Sequence, residues 1–297
     1  MPLDPDRHYS RNPRAVVITS GSGTLWSLPD EPAFRAAAVP ATTVAALWEL
    51  LATPVPGSVL TARIAADPDG PALEHLVERL LAQTLVLRGA ADELPGAPAG
   101  SDVLRAAATT LPCRRLVLGV TGAVQAAFMA PAIQRLGRDF AQQVDVILTR
   151  SARRFITPHA IAALGVEVWH DPFERREGIR VPHAHLAEAA DLVVVLPASA
   201  NALSRLAQGS CSDLLSLVVA GTRAPVVLVP SMSSAMWGHP AVRRNVARLR
   251  DDGAFVIEPG RGRAAGSDAT CTVGGLGLGG DTANLLGALR AVLDLSR

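Results

Sequence analysis

Hydrophobic positions change their spacing along the chain. Up to residue 93, apolar residues recur every three or four positions in Thr42–Ala52, Val59–Ala66 and Ala72–Gln83, which predicts three helices. Two short runs, Arg14–Ser20 and Thr84–Arg88, are instead typical of strands. The pattern predicts a small module over residues 1–93, in which helices are followed by a short hairpin.

A stretch rich in Pro, Gly and Ala, Leu94–Ser101, separates this module from a different pattern. Beyond it, helical stretches alternate with six strand-like runs: Arg115–Val120, Val144–Thr149, Val166–Trp169, Leu192–Leu196, Pro225–Val229 and Ala254–Ile257. Near-continuous Val, Ile and Leu in such runs indicate a parallel sheet covered by helices on both faces. We therefore expect a winged-helix-like module (1–93), a linker (94–112) and a Rossmann-like (flavodoxin-like) α/β domain (113–297).

Composition and charge narrow the classes of function. Hydrophobic residues make up 49% and charged residues 19% of the 297 residues, which is enough apolar material for a sizeable core. Residues 1–112 carry a net charge of −4 and residues 113–297 one of +5, so the N-terminal module is a poor candidate for nucleic-acid binding. Every basic residue is arginine, which excludes lysine-based Schiff-base chemistry.

The targeting and cysteine patterns favour a cytoplasmic protein. No apolar run reaches the roughly 18 residues of a membrane helix, and the N-terminus lacks the apolar core of a signal peptide. The three cysteines, Cys113, Cys211 and Cys271, lie far apart and fit no metal-binding pattern. We expect no metal site and no contact with a membrane.

Ligands of parallel α/β sheets bind at the ends of the strands, so the loops after the strands carry the candidate chemistry. The first is Gly119-Val-Thr-Gly-Ala123 and the second is Thr149-Arg-Ser-Ala152. Small residues and hydroxyls before a helix suit a phosphate, although a plain tight turn is an equally good interpretation of the first loop alone. The two together favour a mononucleotide-type cofactor.

The loops after the fourth and fifth strands are more specific. Pro197-Ala-Ser-Ala-Asn201 follows one strand and Pro230-Ser-Met-Ser-Ser-Ala-Met-Trp237 follows the next. In this order they resemble the PASANT and PxMNxxMW signatures of the homo-oligomeric flavin-containing cysteine decarboxylases, over roughly Arg114–Pro259. That family includes phosphopantothenoylcysteine decarboxylase and the lantibiotic-type peptidyl-cysteine decarboxylases.

The resemblance implies a flavin, FMN or FAD, and assigns site residues. His183, upstream of PASAN, matches the family's active-site histidine, with His185 as the alternative under a shifted alignment. Ser233, Met236 and Cys271 are the expected substrate-binding residues. The expected cofactor-binding residues are Gly119, Thr121, Gly122, Thr149, Ser151, Phe155, Ala198, Ser199, Asn201, Asp213 and Met232. For Asp213, capping of a helix is the better interpretation of the residue by itself.

Two positions depart from the family pattern. Ala202 replaces the threonine of PASANT, and Ser233 replaces the asparagine of PxMN, which in the family helps to bind the substrate carboxylate. A serine hydroxyl donates one hydrogen bond where an amide donates two. Cys271 and the glycines after it resemble weakly the flap of the coenzyme A enzymes, in which a cysteine acts on the enethiol, and an incidental thiol is an equally good interpretation.

The prediction of the substrate depends on what flanks the α/β domain along the sequence. The N-terminal module resembles leader-peptide recognition domains, with an oligomerisation role as the alternative, and we expect no synthetase domain after Arg297. These expectations favour flavin-dependent oxidative decarboxylation of the C-terminal cysteine of a ribosomally made precursor peptide, as in lanthipeptide biosynthesis. The alternatives are phosphopantothenoylcysteine decarboxylase of coenzyme A biosynthesis and a non-catalytic flavin-binding regulatory subunit. The family resemblance also implies a homo-oligomer, a trimer or a dodecamer.

Overall fold

The computed structural model of the chain describes residues 3–12, 15–20, 23–27, 34–36, 39–51, 54–83, 85–90, 111–263, 270–273 and 282–296. Nearly all of the predicted linker over residues 94–112 lies outside these ranges. Within them, no helix combines the length and the apolar character needed to cross a membrane.

The described residues of the N-terminal part form three helices and six short strands. The helices are α1 (Ala41–Leu50), α2 (Gly57–Ala65) and α3 (Gly70–Ala82). The strands are β1 (His8–Arg11), β2 (Val16–Ser20), β3 (Gly23–Ser27), β4 (Phe34–Ala36), β5 (Val55–Pro56) and β6 (Val86–Gly89). The three predicted helices and the two predicted strands are confirmed with small shifts at their ends, whereas β1, β3, β4 and β5 were not predicted.

The second part alternates strands and helices as expected. Its strands are β7 (Cys113–Val120), β8 (Ala141–Leu148), β9 (Glu167–Trp169), β10 (Leu192–Ala198), β11 (Val226–Pro230), β12 (Phe255–Ile257), β13 (Gly260–Arg263) and β14 (Thr270–Val273). Its helices are α4 (Met129–Asp139), α5 (Pro158–Ala162), α6 (Pro182–Ala189), α7 (Ala200–Ala207), α8 (Leu214–Gly221), α9 (Ser234–Gly238), α10 (Pro240–Asp251) and α11 (Thr282–Leu295). All six predicted strands of this part are confirmed.

One nine-stranded sheet, in the order β4-β3-β2-β12-β11-β10-β7-β8-β9, organises the molecule. The six strands from β12 to β9 in this order are parallel to one another. Starting from β7, the chain first builds outward through β8 and β9 and then returns to the other side through β10, β11 and β12. The order reverses between β7 and β10, which is where open α/β sheets bind their ligands.

Apolar side chains cover the two faces of this sheet in separate clusters. One cluster joins Met129 and Ile133 of α4 with Leu285 and Leu289 of α11. The other joins residues of α6, α7, α8 and α10 with the opposite face of the same strands. All seven residues of β10 are buried, because this strand is covered on both faces. The predicted parallel sheet between two helical layers is confirmed.

The N-terminal part does not lie apart from this sheet. Strand β2 pairs antiparallel with β12, and β3 and β4 extend the sheet further. The helices α1–α3 pack on Val17 and Trp26 of these strands and form a third apolar cluster. A small antiparallel sheet in the order β5-β1-β6 stands where a hairpin was expected after the helices, and its central strand comes from residues 8–11. The predicted division near residue 93 is therefore not a division of the main sheet, since β2 covers the edge that β12 would otherwise leave open.

A buried ion pair fixes the junction between β2 and β12. Arg250 at the end of α10 and Glu258 after β12 contact each other, and their side chains are only 4% and 5% exposed. The Arg250 Nε also donates to the Thr19 hydroxyl of β2 at 2.6 Å, and that hydroxyl donates to the Glu258 carboxylate at 2.9 Å. Burial lowers the pKa of the Arg250 guanidinium from its ordinary value, and the charge of Glu258 opposes this shift.

We expect Glu258→Leu to destabilise the protein by about 3–5 kcal/mol, because it leaves the Arg250 charge buried without its partner. The measurement is the free energy of unfolding from chemical denaturation. Asp252→Asn is the matched control, since Asp252 pairs with Arg248 at 3.9 Å on the surface and both side chains are more than 60% exposed. Equal small losses in the two variants would contradict a stabilising role for the buried pair.

Candidate functional site

Four loops meet at the edge of the sheet where the parallel strands end, called here the carboxyl edge. They follow β8, β7, β10 and β11, which are consecutive neighbours in the sheet. These are the loops in which the sequence placed most of the candidate cofactor and substrate residues. The reversal of strand order between β7 and β10 puts the PASAN motif directly beside the first glycine-containing loop.

Hydrogen bonds connect these loops in a row. The Thr121 hydroxyl donates to the Pro197 carbonyl at 2.6 Å and accepts from the Ser199 backbone N–H at 2.9 Å. The Thr149 backbone N–H and hydroxyl donate to the Val120 carbonyl at 3.1 and 3.2 Å. The Ser231 N–H donates to the Ala198 carbonyl at 3.0 Å. These hydrogen bonds therefore link all four loops, from the loop after β8 to the loop after β11.

This arrangement changes the interpretation of several predicted cofactor residues. Thr121 and Thr149 are buried, and each hydroxyl both donates and accepts within the protein. Ala198 is fully buried in β10. A Cβ at Gly119 would lie 2.3 Å from the Leu215 Cδ1, so this glycine is required by the packing of α8. These four residues shape the carboxyl edge, and their side chains offer no free donor to a ligand.

The loops after β7 and β8 together present a set of donors that suits a phosphate. A Cβ at Gly122 would lie 2.4 Å from the Ser151 Cβ, so only glycine permits this close approach. In the described part of the chain, the backbone N–H groups of Gly122, Arg150 and Ser151 donate no hydrogen bond to the protein. The exposed Ser151 hydroxyl and three exposed arginines, Arg150, Arg153 and Arg154, lie in the same loop. The residues present therefore fit the phosphate end of a mononucleotide cofactor.

Large apolar side chains stand exposed in the same loops. Phe128 is 54% exposed, Phe155 is 41% exposed and Met236 is 47% exposed. In contrast, Met232 and Trp237 of the second motif are buried beneath them. Exposed apolar side chains beside free backbone donors fit a ligand with a flat apolar ring and an anionic tail, and they agree with the prediction that Phe155 and Met236 contact ligands.

Several of the predicted polar site residues cap helices. Ser199 accepts from the Ala202 N–H at 3.3 Å at the start of α7, and the side chain of Asn201 is exposed in the first turn. Ser233 accepts from the Met236 N–H at 3.4 Å at the start of α9. Asparagine and serine are both good N-cap residues, so Ser233 can cap α9 as the asparagine of the family motif would. What the serine lacks is the side-chain amide group.

Asp213 caps α8, as its sequence position predicted. Its side chain accepts from the Ser216 N–H at 2.9 Å, and the Ser216 hydroxyl closes the reciprocal capping box. The carboxylate also pairs with Arg205 of α7 at 2.8 Å. Cys211, two residues before Asp213, is exposed.

The two candidate histidines lie on α6 in different surroundings. Only two residues separate α6 from β10, so the helix runs back along the strand and its first turn points toward the carboxyl edge. His183 is half-buried there, and its Nδ1 is a buried atom with no hydrogen-bond partner in the described structure. The Nε2 of His185 lies 3.0 Å from the Arg115 NH2, so His185 already has a partner in the protein. His183 therefore differs from His185 in having an Nδ1 that no described protein group satisfies.

Sequence reasoning missed the charged network behind His185. Arg115 of β7 pairs with Asp145 of β8 at 2.7 Å, and Asp145 is fully buried. The Trp169 Nε1 of β9 donates to the same carboxylate at 3.0 Å. The sequence does contain an indication of this network, because the charged Asp145 interrupts the otherwise apolar run Val144–Leu148.

A hairpin lies against the second substrate loop. Strands β13 and β14 pair antiparallel with Gly262 opposite Cys271, and β14 contacts α9, the helix that begins after Ser233. The backbone of Cys271 is therefore placed near the loop of Ser233 and Met236, while its side chain lies outside the described structure. This position agrees with the flap implied by the sequence.

Comparison with known proteins places this site in a family. A sequence profile of the family described as Flavoprotein matches residues 104–273. The curated coenzyme A biosynthesis bifunctional protein CoaBC of Mycobacterium bovis is 42% identical over 157 residues, which are 52% of this chain. The match covers only 37% of that protein, so the chain spans well under half of the relative's length.

Two solved structures share the fold. The FMN-dependent cysteine decarboxylase SpaF is 30% identical with a TM-score of 0.51, over 62% of this chain and 97% of SpaF. A variant of PPC decarboxylase complexed with pantothenoylaminoethenethiol has a TM-score of 0.53 at 23% identity, over 61% of this chain and 99% of that protein. The predicted Rossmann-like fold is thereby confirmed.

These comparisons correct one expectation and confirm another. The precursor peptide expected as the substrate is wrong, because the curated relatives are coenzyme A biosynthesis proteins. The N-terminal features that favoured it, a winged-helix-like pattern and a chain end, carry no substrate chemistry. The expected flavin is confirmed by the profile match. With more than half of its residues matched by that profile, the chain belongs to the Flavoprotein family.

Proposed function

We propose that this protein is a flavin-dependent decarboxylase that converts phosphopantothenoylcysteine to phosphopantetheine. The observation that carries the proposal is the contact between the two motif loops, in which Ser231 donates to the Ala198 carbonyl at 3.0 Å. This contact puts the PASAN and PSMSSAMW residues at one place beside the phosphate-binding loops. The substrate class is that of the curated coenzyme A biosynthesis relatives, and decarboxylation is the activity named for SpaF.

The proposed conversion of phosphopantothenoylcysteine to phosphopantetheine needs no external oxidant, because it has no net change in oxidation apart from the loss of CO2. The bond between the cysteine Cα and its carboxylate breaks, CO2 leaves, and a proton takes its place on the product, which keeps its thiol. A bound flavin supplies a reversible two-electron oxidation of the cysteine side chain, which makes the loss of CO2 possible. The protein must bind the carboxylate, place the thiol and move protons.

The exposed polar residues of the four loops suit these tasks. Ser233 and Asn201 present a hydroxyl and an amide to the substrate carboxylate, since both lie exposed at the start of helices beside the PASAN loop. His183 at the start of α6 holds or moves a proton, since its Nδ1 has no hydrogen-bond partner in the described protein. The proposal also assigns Cys271 of β14 the return of a proton to the reacting carbon or sulfur, as the resemblance to the coenzyme A enzymes implies.

FMN is the form of flavin that the loops favour. The donors of Gly122, Arg150 and Ser151 form one compact group, which is sufficient for a single phosphate. SpaF, which shares the fold, is likewise an FMN-dependent enzyme. Phe128 and Phe155 stand exposed beside these donors and offer apolar surface to the ring system.

Association of several copies would cover the apolar side chains near His183. Phe173, after β9, is 86% exposed, and Val181, immediately before α6, is 46% exposed. Exposed apolar side chains that form one contiguous patch mark protein–protein interfaces. A homo-oligomer therefore forms part of the proposal.

We expect the purified protein loaded with FMN to release CO2 from phosphopantothenoylcysteine and to give phosphopantetheine, as followed by mass spectrometry without added oxidant. A peptide that ends in cysteine serves as the comparison substrate and should remain unchanged. Release of CO2 from neither compound by flavin-loaded protein would overturn the proposed function.

We expect His183→Asn to lower kcat by about a hundredfold or more, because positioned proton transfer contributes rate enhancements of this size. The flavin content of the variant should match that of the wild type. His75→Asn, at an exposed position of α3, is the control and should keep full activity. Near-normal turnover by His183→Asn would remove the proton-transfer role.

We expect Ser233→Asn to lower KM about fivefold, since the amide adds a hydrogen bond to the substrate carboxylate and still caps α9. Steady-state kinetics with phosphopantothenoylcysteine measure this change. Ser234→Asn, one position further along the exposed start of α9, controls for added bulk. An unchanged or raised KM in Ser233→Asn would show that this position does not contact the carboxylate.

A further inference from the structure

A chain of polar contacts crosses three strands and ends on the helix of His183. The Arg115 Nε donates to the Asp145 Oδ2 at 2.7 Å and its NH2 to the Oδ1 at 3.3 Å. The Trp169 Nε1 donates to the Asp145 Oδ1 at 3.0 Å. On its other side, the Arg115 NH2 contacts the His185 Nε2 at 3.0 Å. The contacts thereby join β7, β8 and β9 to α6.

The chemistry of this chain determines the protonation of His185. A guanidinium has only donors, so the His185 Nε2 must accept the hydrogen bond. An imidazole that accepts at Nε2 is neutral and carries its proton at Nδ1. Arg115 cannot rotate away without cost, because it neutralises the fully buried Asp145.

The contact between Arg115 and the His185 Nε2 also fixes the position of the first turn of α6. His185 and His183 are two residues apart on this short helix, and the backbone N–H of His185 donates to the Val181 carbonyl at 3.1 Å, across the turn that contains His183. The His183 Nδ1 has no hydrogen-bond partner in the described structure, so its ring is oriented through the backbone of α6.

We propose that His185 is a positioning residue, through which the Asp145–Arg115 pair and Trp169 hold the first turn of α6 and thereby the ring of His183. His185 itself touches neither substrate nor cofactor. This inference rests on the proposed function for its kinetic consequence, whereas the tautomer of His185 follows from the contacts alone.

The test compares two substitutions at His185, because changes at Arg115 or Asp145 would leave a buried charge unpaired. His185→Gln keeps an acceptor at the position of Nε2, and His185→Leu removes it at similar volume. We expect kcat of His185→Leu to fall about tenfold or more, since small misplacements of a reacting group cost rate. KM should change less than kcat in this variant, and His185→Gln should stay close to wild type. His75→Leu is the matched control at an exposed histidine of α3.

Two further readouts separate this role from mere stability and from failure of the proposed function. Nitrogen-15 NMR of the imidazole rings should show the His185 signals, identified by their loss in His185→Gln, in the form protonated at Nδ1. Thermal unfolding and flavin content should agree between the two His185 variants. If the wild type fails to decarboxylate, the proposed function is overturned, and the NMR tautomer still tests the inference.

Three results would overturn the positioning role. The first is a His185 ring protonated at Nε2 in the wild type. The second is a His185→Leu variant that folds and turns over like the wild type. The third is a His185→Gln variant as impaired as His185→Leu, because the acceptor would then not be what matters.

Discussion

The hydroxyl of Thr121 is the contact on which the site depends. It is buried where the strand order reverses, and it joins the loop after β7 to the loop after β10 by donating to Pro197 and accepting from Ser199. A valine of the same shape would leave the Ser199 N–H unpaired, and the Pro197 carbonyl would keep only the longer bond from the Thr121 N–H at 3.3 Å. Because the loops after β8 and β11 attach to these two, one hydroxyl holds the phosphate-binding side and the substrate side of the edge in register.

Buried ion pairs lie on both sides of this contact in the sheet. Toward β9, the contacts run from Asp145 through Arg115 to His185. Toward the N-terminal strands, Arg250 and Glu258 form a second buried pair on Thr19. Between them the strands are apolar throughout, as in β10. Among the residues that the structure describes, charges are thus buried only at junctions, where they fix one geometry and packing alone would permit several.

The strands that carry the site could be predicted because their signal is local. A run such as Leu192–Leu196 has one physical explanation, burial on both faces, and the loop that follows it is fixed by connectivity. The strands β3 and β4 could not be predicted in the same way, since they are short and owe their place to pairing with β2. For Thr121, the sequence shows a hydroxyl but does not show that Pro197 and Ser199 satisfy it. His185 was set aside as an alternative to His183, although its role depends on Arg115, seventy residues away in sequence.

The pairing of β2 with β12 bears on how this chain reaches its fold. Thr19 of β2 is the pairing partner of Val256 in β12, across a separation of 237 residues. Contacts between residues so far apart in sequence form late in folding, since the entropic cost of closing a long loop must first be overcome. During synthesis the N-terminal strands emerge first and wait with an open edge until nearly the whole chain has been made. The three helices packed on Val17 and Trp26 cover one face of those strands, so what stays exposed until β12 arrives is the edge of β2.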